Sequence, residues 1–406
     1  MPLFSNDDYF RYREALRDER LPAAFVDLDA FDANVDYVAS TQRPTGKSIR
    51  VGTKSIRCAE LTRRVFRRGG SAYRGILGFT MEEAAFLAGR GFDDIIVAYP
   101  SVQPSDINLL VKLTKEKKLV ALMVDSAEHL SILDAAGKRA RVRLRACMEV
   151  DMAYHPLGAP VHLGLRRSPV RTVEQALLLA RASKKYDRVT IDSVMGYEGH
   201  IAGLNDDVPG AGIRNALMRT IKRASVRELT VRRDDIVDAL RAEGLDLRLV
   251  NGGGSGSLVS SGNDPRLTEV TAGSAFYCSG LFHHFKEVRF RPSAFFAVQV
   301  VRVPASGMVT CLGGGYVASG AMGPDKLPSP VLPAGLRLLP LEAAGEVQTP
   351  LMLPDDCPPL SIGDPVVFQH AKAGELCERF NELLLVQGDR VVGRAKTYRG
   401  EGKAFL

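Results

Sequence analysis

Along most of the chain, short apolar runs alternate with stretches whose apolar residues recur every three or four positions. The runs are Ser48–Thr53, Gly75–Phe79, Asp94–Tyr99, Val120–Asp125, Val142–Asp151, Thr190–Tyr197, Leu247–Asn251 and Thr268–Gly273. Stretches such as Thr80–Ala88, Ser105–Lys117, Ser126–Ala136, Thr172–Lys184 and Arg232–Glu243 between them carry the helical period. Strands that are apolar throughout are covered on both faces, so this alternation predicts a closed parallel (β/α)8 barrel of the TIM type. An open doubly wound sheet is the competing architecture, but no Gly-x-Gly-x-x-Gly follows an early strand. Leu21–Asp29 reads as an entry strand, with Asp29 capping a helix that sets Phe31, Val35 and Val38 on one face.

Beyond Phe285 the pattern changes. Phe295–Val303, Gly307–Leu312, Pro365–Phe368, Leu383–Val386 and Val391–Thr397 are short, β-rich and separated by Gly, Pro and Asp. They predict a second, all-β domain. The expected division is a barrel over 21–285 and a β domain over 286–406, with residues 1–20 packed on the latter. Ser319–Gly345, rich in Pro, Gly and Leu, reads as a long functional loop.

Composition narrows the class. The chain has 406 residues, of which 45% are hydrophobic, enough for two cores. No apolar run reaches membrane-spanning length, and the acidic start lacks a signal peptide's order, so a soluble cytoplasmic protein is expected. Six scattered cysteines with no Cys-x-x-Cys pair fit reduced thiols. The formal charge of +7 is dispersed, apart from the run around Arg63, Arg64, Arg67 and Arg68, which reads as a solvated helix face. Without interleaved aromatics or a recognition motif, nucleic acid is not an expected partner; a mild positive field suits an anionic cofactor and substrate.

In such a barrel the chemistry gathers at the C-terminal strand ends. The first strand ends in Lys54. Partial desolvation disfavours an ammonium, so a lysine there becomes a nucleophilic amine able to form a Schiff base with an aldehyde. Taken alone, it could equally be a surface lysine beyond a strand. The seventh and eighth ends carry Asn251-Gly-Gly-Gly-Ser-Gly-Ser257 and Gly273-Ser-Ala-Phe-Tyr277. Glycines let consecutive amides approach an anion, and the loops after strands seven and eight are a frequent phosphate site. Gly254, Ser255, Gly256, Gly273 and Ser274 form the expected cradle, with the Tyr277 hydroxyl as a further donor; a flexible turn is the plain alternative for the glycine run.

Together these segments resemble the fold-type III pyridoxal phosphate enzymes: alanine racemase and, more closely, D-threonine aldolase and eukaryotic-type D-serine dehydratase. Gly-Ser-Ala-Phe-Tyr is similar to the family's phosphate element, Asp94–Pro100 to its D-I-L-x-A-Y-P, and the glycine run to its S-G-G-G-T-G. Gly199-His200-Ile201-Ala202 resembles the segment whose histidine stacks on the cofactor ring. The resemblance implies an alanine racemase-like fold, pyridoxal 5′-phosphate on Lys54, and Tyr197, His200 and Asn251 in the cofactor site. It implies an amino-acid substrate and a homodimer that closes the site. Where the family has D-x-G-x-x-R-x-G, this chain has Asp151-Met-Ala-Tyr-His-Pro, so His162, or Arg166 or Arg167 nearby, takes the arginine's place.

The family also binds a divalent ion (Mn, Mg or Zn) through H-x-C or H-x-D. Here His370-Ala371-Lys372 puts lysine at the second position. Either Glu375 or Cys377 ligates with His370, or Lys372 occupies the ion's charge position. The resemblance implies a lyase on D-3-hydroxy amino acids, cleaving Cα–Cβ to glycine, with His370 as base. Deaminating dehydration, racemisation, and a non-catalytic cofactor carrier are the alternatives. Tyr316 fits the racemase's second-domain tyrosine poorly, and the carriers lack a second domain.

Overall fold

The computed structural model describes residues 3–158, 160–372 and 374–406. The first strand, β1 (Ala23–Asp27), is followed by β2 (Ser48–Gly52), β3 (Tyr73–Gly78), β4 (Ile95–Val97) and β5 (Val120–Val124). Next come β6 (Leu144–Glu149), β7 (Val189–Gly196), β8 (Leu249–Gly252) and β9 (Glu269–Ala272). Strands β2 to β9 form a closed parallel barrel, with Ile49 of β2 opposite Val270 of β9 at the closure. Each overlaps one of the eight apolar runs, and an open doubly wound sheet is ruled out.

The helices begin where hydroxyl side chains can satisfy their orphan amides. Thr80, Ser126 and Thr172 each accept a hydrogen bond from the amide three residues on. Asp27, not Asp29, caps the helix Leu28–Gln42, accepting from the Ala30 amide at 3.0 Å. Asp29 sits inside the first turn, where its charge complements the helix dipole. The helix Gly212–Ala242 is 31 residues long, far longer than the Arg232–Glu243 stretch legible in the sequence. Arginines interrupt its apolar stripe, and one of them, Arg233, is itself buried.

The remaining strands are β10 (Ala294–Ala305), β11 (Met308–Leu312), β12 (Ser329–Leu332), β13 (Arg337–Leu338), β14 (Gln348–Met352), β15 (Pro365–Gln369), β16 (Glu382–Gln387) and β17 (Arg390–Lys396). They join β1 in a nine-stranded sheet. β1 is thus not part of the barrel. Phe25 pairs antiparallel with Phe295 of β10 and parallel with Leu384 of β16. An apolar pentapeptide signals a strand but not which sheet it joins. The helix Asn6–Ala15 packs Tyr9 and Tyr12 on this sheet, against Phe25, Phe295 and Val367.

One apolar cluster runs across both halves, taking in Ile56, Phe276, Phe296 and Phe368. The C-terminal segment returns to the barrel: the Tyr398 hydroxyl donates to Glu83 at 2.9 Å. The basic run on the helix Ala59–Gly69 is ion-paired. Arg64 bonds Asp32 at 2.7 and 2.8 Å, and Arg68 reaches Asp36. Among the described residues no helix is long and apolar enough to cross a membrane.

Candidate active site

The barrel interior changes character from one side to the other. Ile96, Met123, Cys147, Met195 and Leu249 fill one part as a small apolar cluster. Opposite them Arg50 is fully buried, bonded to Glu269 at 2.5 and 3.0 Å and to the Asp94 carbonyl at 2.6 Å. Gly75, at φ +72°, leaves the room: a Cβ there would lie 2.3 Å from the Arg50 guanidinium. Asn251 continues the network, donating to Glu269 at 2.8 Å and to Thr271 at 2.9 Å. Arg50 and Glu269 were not singled out in the sequence; an arginine inside an apolar run was the available signal.

Above this floor lies a cavity of about 370 Å³, bordered by Lys54, Tyr197, Asn251, Gly253, Gly254, Ser255, Gly273 and Ser274. Lys54 follows β2 on a single helical turn. Its side chain keeps contact with solvent in the cavity but is crowded by protein. Desolvation holds its amine below the ordinary lysine value, and the charges of Lys372, Arg57 and Arg167 push the same way.

The glycine rim faces the same space. The turn Ser255–Ser257 and the helix Ser274–Tyr277 both start there, so their first amides have no partner within the helix. The Ser255 hydroxyl accepts from the amides of Gly273 and Ala275 and ties the two loops together. A Cβ at Gly254 would come within 2.8 Å of Ala202, and one at Gly273 within 2.6 Å of the Gly52 carbonyl. Only glycine leaves these positions open, so backbone there can approach an anion closely. The residues present therefore fit a phosphorylated aldehyde held between the rim and Lys54.

Other expected contacts lie elsewhere. His200 is buried behind the cavity wall, with Nε2 2.5 Å from Ser225 Oγ, and burial pushes it down to about 4. His162 pairs with His155 at 2.8 Å. Neither borders the cavity. Arg167 does: it is ion-paired to Glu149 at 2.5 Å, donates to the Ala98 carbonyl at 2.9 Å and lies 4.7 Å from the Tyr99 ring centre. Gly256 serves packing, since a Cβ there would lie 2.2 Å from Phe285. The Tyr277 hydroxyl is fully buried and donates to the Ile56 carbonyl at 2.8 Å, away from the cavity lining. Ser55 joins instead, with Oγ 3.1 Å from Ser274 Oγ.

A second cavity of about 690 Å³ lies at the edge of the other domain, bordered by Arg57, Tyr316, Ser319, His370, Lys372 and Glu375. Neither ring nitrogen of buried His370 has an aligned hydrogen-bond partner among the described residues, and burial pushes it down to about 4. His370 and Cys377 both lie beside Tyr277, but the Cys377 thiol turns to the Ile56 carbonyl at 3.2 Å. Burial raises that thiol's pKa, against the thiolate a metal needs. Among the described residues no three His, Cys, Asp or Glu side chains gather as a ligand set. The donors here do not fit a divalent ion.

Residues 26–280 match the family model "Alanine racemase, N-terminal domain", and the chain belongs to that family, which is pyridoxal phosphate-dependent. A 3-hydroxy-D-aspartate aldolase of Paracoccus denitrificans is 25% identical over 253 residues, 62% of this chain and 59% of that relative. The match thus spans about three-fifths of the relative's length. The D-threonine aldolase structure from Filomicrobium marinum superposes with a TM-score of 0.80 at 19% identity, covering 95% of this chain and 96% of that one. The D-threo-3-hydroxyaspartate dehydratase of Delftia sp. HT23 gives 0.74 at 18%, covering 94% and 98%. These likenesses carry the whole fold, second sheet included.

Proposed function

We propose that the protein is a pyridoxal phosphate-dependent lyase that cleaves the Cα–Cβ bond of D-3-hydroxy amino acids, releasing glycine and an aldehyde. The observation that carries this reading is one cavity bordered by both a partly desolvated lysine and a glycine rim, with a buried histidine lacking an aligned hydrogen-bond partner at a second cavity. The likeness to relatives named 3-hydroxy-D-aspartate aldolase and D-threonine aldolase supports the substrate class.

The cofactor, when bound, supplies an acceptor for the electrons of a bond broken at Cα. The chain's own residues do the rest. The rim of Gly254, Ser255, Gly273 and Ser274 would hold the phosphate, and the Lys54 amine, held below the ordinary lysine value, would be the attachment point. Arg167, fixed by Glu149 and Ala98, keeps a positive charge over the cavity. Leu77, Phe79, Met195 and Phe282 exclude water around the reacting carbons. His370, neutral and without a partner, takes the proton from the 3-hydroxyl. Pairing of two copies over the cavity mouth is part of the same reading, and light scattering on purified protein tests it.

Purified holoenzyme is mixed with D-threonine, D-serine and D-alanine in turn. Glycine plus an aldehyde is the expected outcome. A keto acid with ammonia would mean dehydration, and the L-enantiomer racemisation. Turnover of no amino acid would leave a cofactor carrier.

A further inference from the structure

The segment carrying Lys372 is pinned to the backbone of Lys54. Gly374, at φ +87°, comes so close that a Cβ there would lie 2.1 Å from the Lys54 carbonyl oxygen. Arg57 bonds that same carbonyl at 3.0 Å and pairs with Glu378. Lys372 is thereby fixed at the edge of the second cavity, close enough for its charge to act on Lys54.

The ammonium is held in a defined place. Nζ donates to Ser319 Oγ at 2.9 Å and stands 3.7 Å from Glu375. Glu375 is in turn held by the Ser319 amide at 2.9 Å and by the Ser319 hydroxyl. An ammonium has three N–H donors. Ser319 engages one, and Glu375 at 3.7 Å is a charge partner beyond hydrogen-bond reach, which leaves N–H donors for an oxygen in the cavity. His370, with both nitrogens free of aligned partners, borders the same cavity.

These groups suit a divalent cation badly. A lysine ammonium donates and cannot ligate. It repels a second cation placed beside it. The Glu375 charge is already balanced by Lys372, and His370 is left as a lone nitrogen ligand.

We propose, resting on the lyase reading above, that Lys372 is the built-in cation of this site. Its ammonium faces the oxygen on the substrate's third carbon beside His370, so the enzyme needs no divalent metal. The ammonium keeps its protons throughout and stabilises negative charge developing on that oxygen as His370 removes the hydroxyl proton.

Four measurements on purified holoenzyme test this. Metal analysis and calorimetric titration with Mn²⁺, Mg²⁺ and Zn²⁺ should find no stoichiometric site, and turnover of D-threonine should survive chelation within about twofold. Lys372→Met should lower kcat by about 10²–10³-fold, with KM changing less and the cofactor's absorbance unchanged. Lys372→Arg should recover part of that loss. Lys372→Asp should gain calorimetric Mn²⁺ binding, because a second oxygen ligand then stands beside His370. A stoichiometric ion in the wild type, loss of turnover on chelation, or no gain of binding in Lys372→Asp each overturns the proposal. The titrations need no turnover. Failure of every D-3-hydroxy amino acid as a substrate sinks the lyase reading by itself, and metal binding still decides this one.

Discussion

The cavity at the barrel's strand ends is bordered by Gly254, Ser255, Gly273 and Ser274, which present backbone; the second cavity, at the edge of the other domain, is bordered by His370, Lys372, Glu375 and Ser319, which present side chains. The barrel rim is made of consecutive residues at two neighbouring strand ends. The second cavity's edge is assembled from loops some fifty positions apart, with Lys372 on one and Ser319 on the other. In the proposed reading the first binds an anion through backbone that any glycine-rich turn of this shape offers. The second depends on which particular side chains meet, so it can be remodelled residue by residue without disturbing the cofactor. Reaction type is therefore more readily varied on that side than cofactor choice.

The largest effect expected breaks the barrel side outright. Lys54→Ala should reduce turnover to background and abolish any borohydride-reducible cofactor linkage, read by absorbance and mass. A variant that keeps the linkage would dissociate the rim from Lys54.

Next is the floor. Arg50→Met leaves Glu269 buried without its cation and should cost about 3–5 kcal/mol, measured by denaturant unfolding. Loss of under about 1 kcal/mol would mean the network beneath the rim is not under electrostatic strain. Gly254→Ala sharpens the contrast between backbone and side-chain recognition. Overpacking against Ala202 and Tyr197 should cost about 1–3 kcal/mol, or roughly 5- to 150-fold in cofactor Kd. Lys372 variants should leave that Kd alone.

The smallest effect concerns His200, buried against the helix Gly212–Ala242 on the barrel side. His200 is held down to about 4 from an ordinary 6.5. As pH falls below about 6.5 the unfolded chain takes up this proton and the folded chain does not, so stability is lost on acidification down to about pH 4. His200→Gln cannot titrate, and its Tm should fall less steeply between pH 6.5 and 4.5 than the wild type's. Equal slopes would place His200 in contact with water.

The same contrast governs what could be read from the chain alone. The barrel was legible because its eight strands are continuous apolar runs in order, and the rim because Asn251-Gly-Gly-Gly-Ser-Gly is local. Lys54 was legible as a strand-end amine. The destination of β1 was not, since Phe25 pairs with Phe295 and Leu384, both hundreds of positions away. Tyr277 ends the short helix Ser274–Tyr277 that begins at the rim's second loop, yet its ring turns into the core beside Cys377. Only packing decides that orientation. Arg167 against His162 was likewise a choice between neighbours on one loop, and the Glu149 carboxylate, buried at the end of β6, favours the arginine.

The central claim is that one amine and one glycine rim share a phosphorylated aldehyde. Reducing the holoenzyme with borohydride and mapping the modified peptide tests it most directly. A single pyridoxyl adduct on Lys54, lost when Gly254 and Gly273 are both replaced by valine in a variant that remains folded, is the predicted result. An adduct on any other lysine, or one that survives disruption of the rim undiminished, would contradict it.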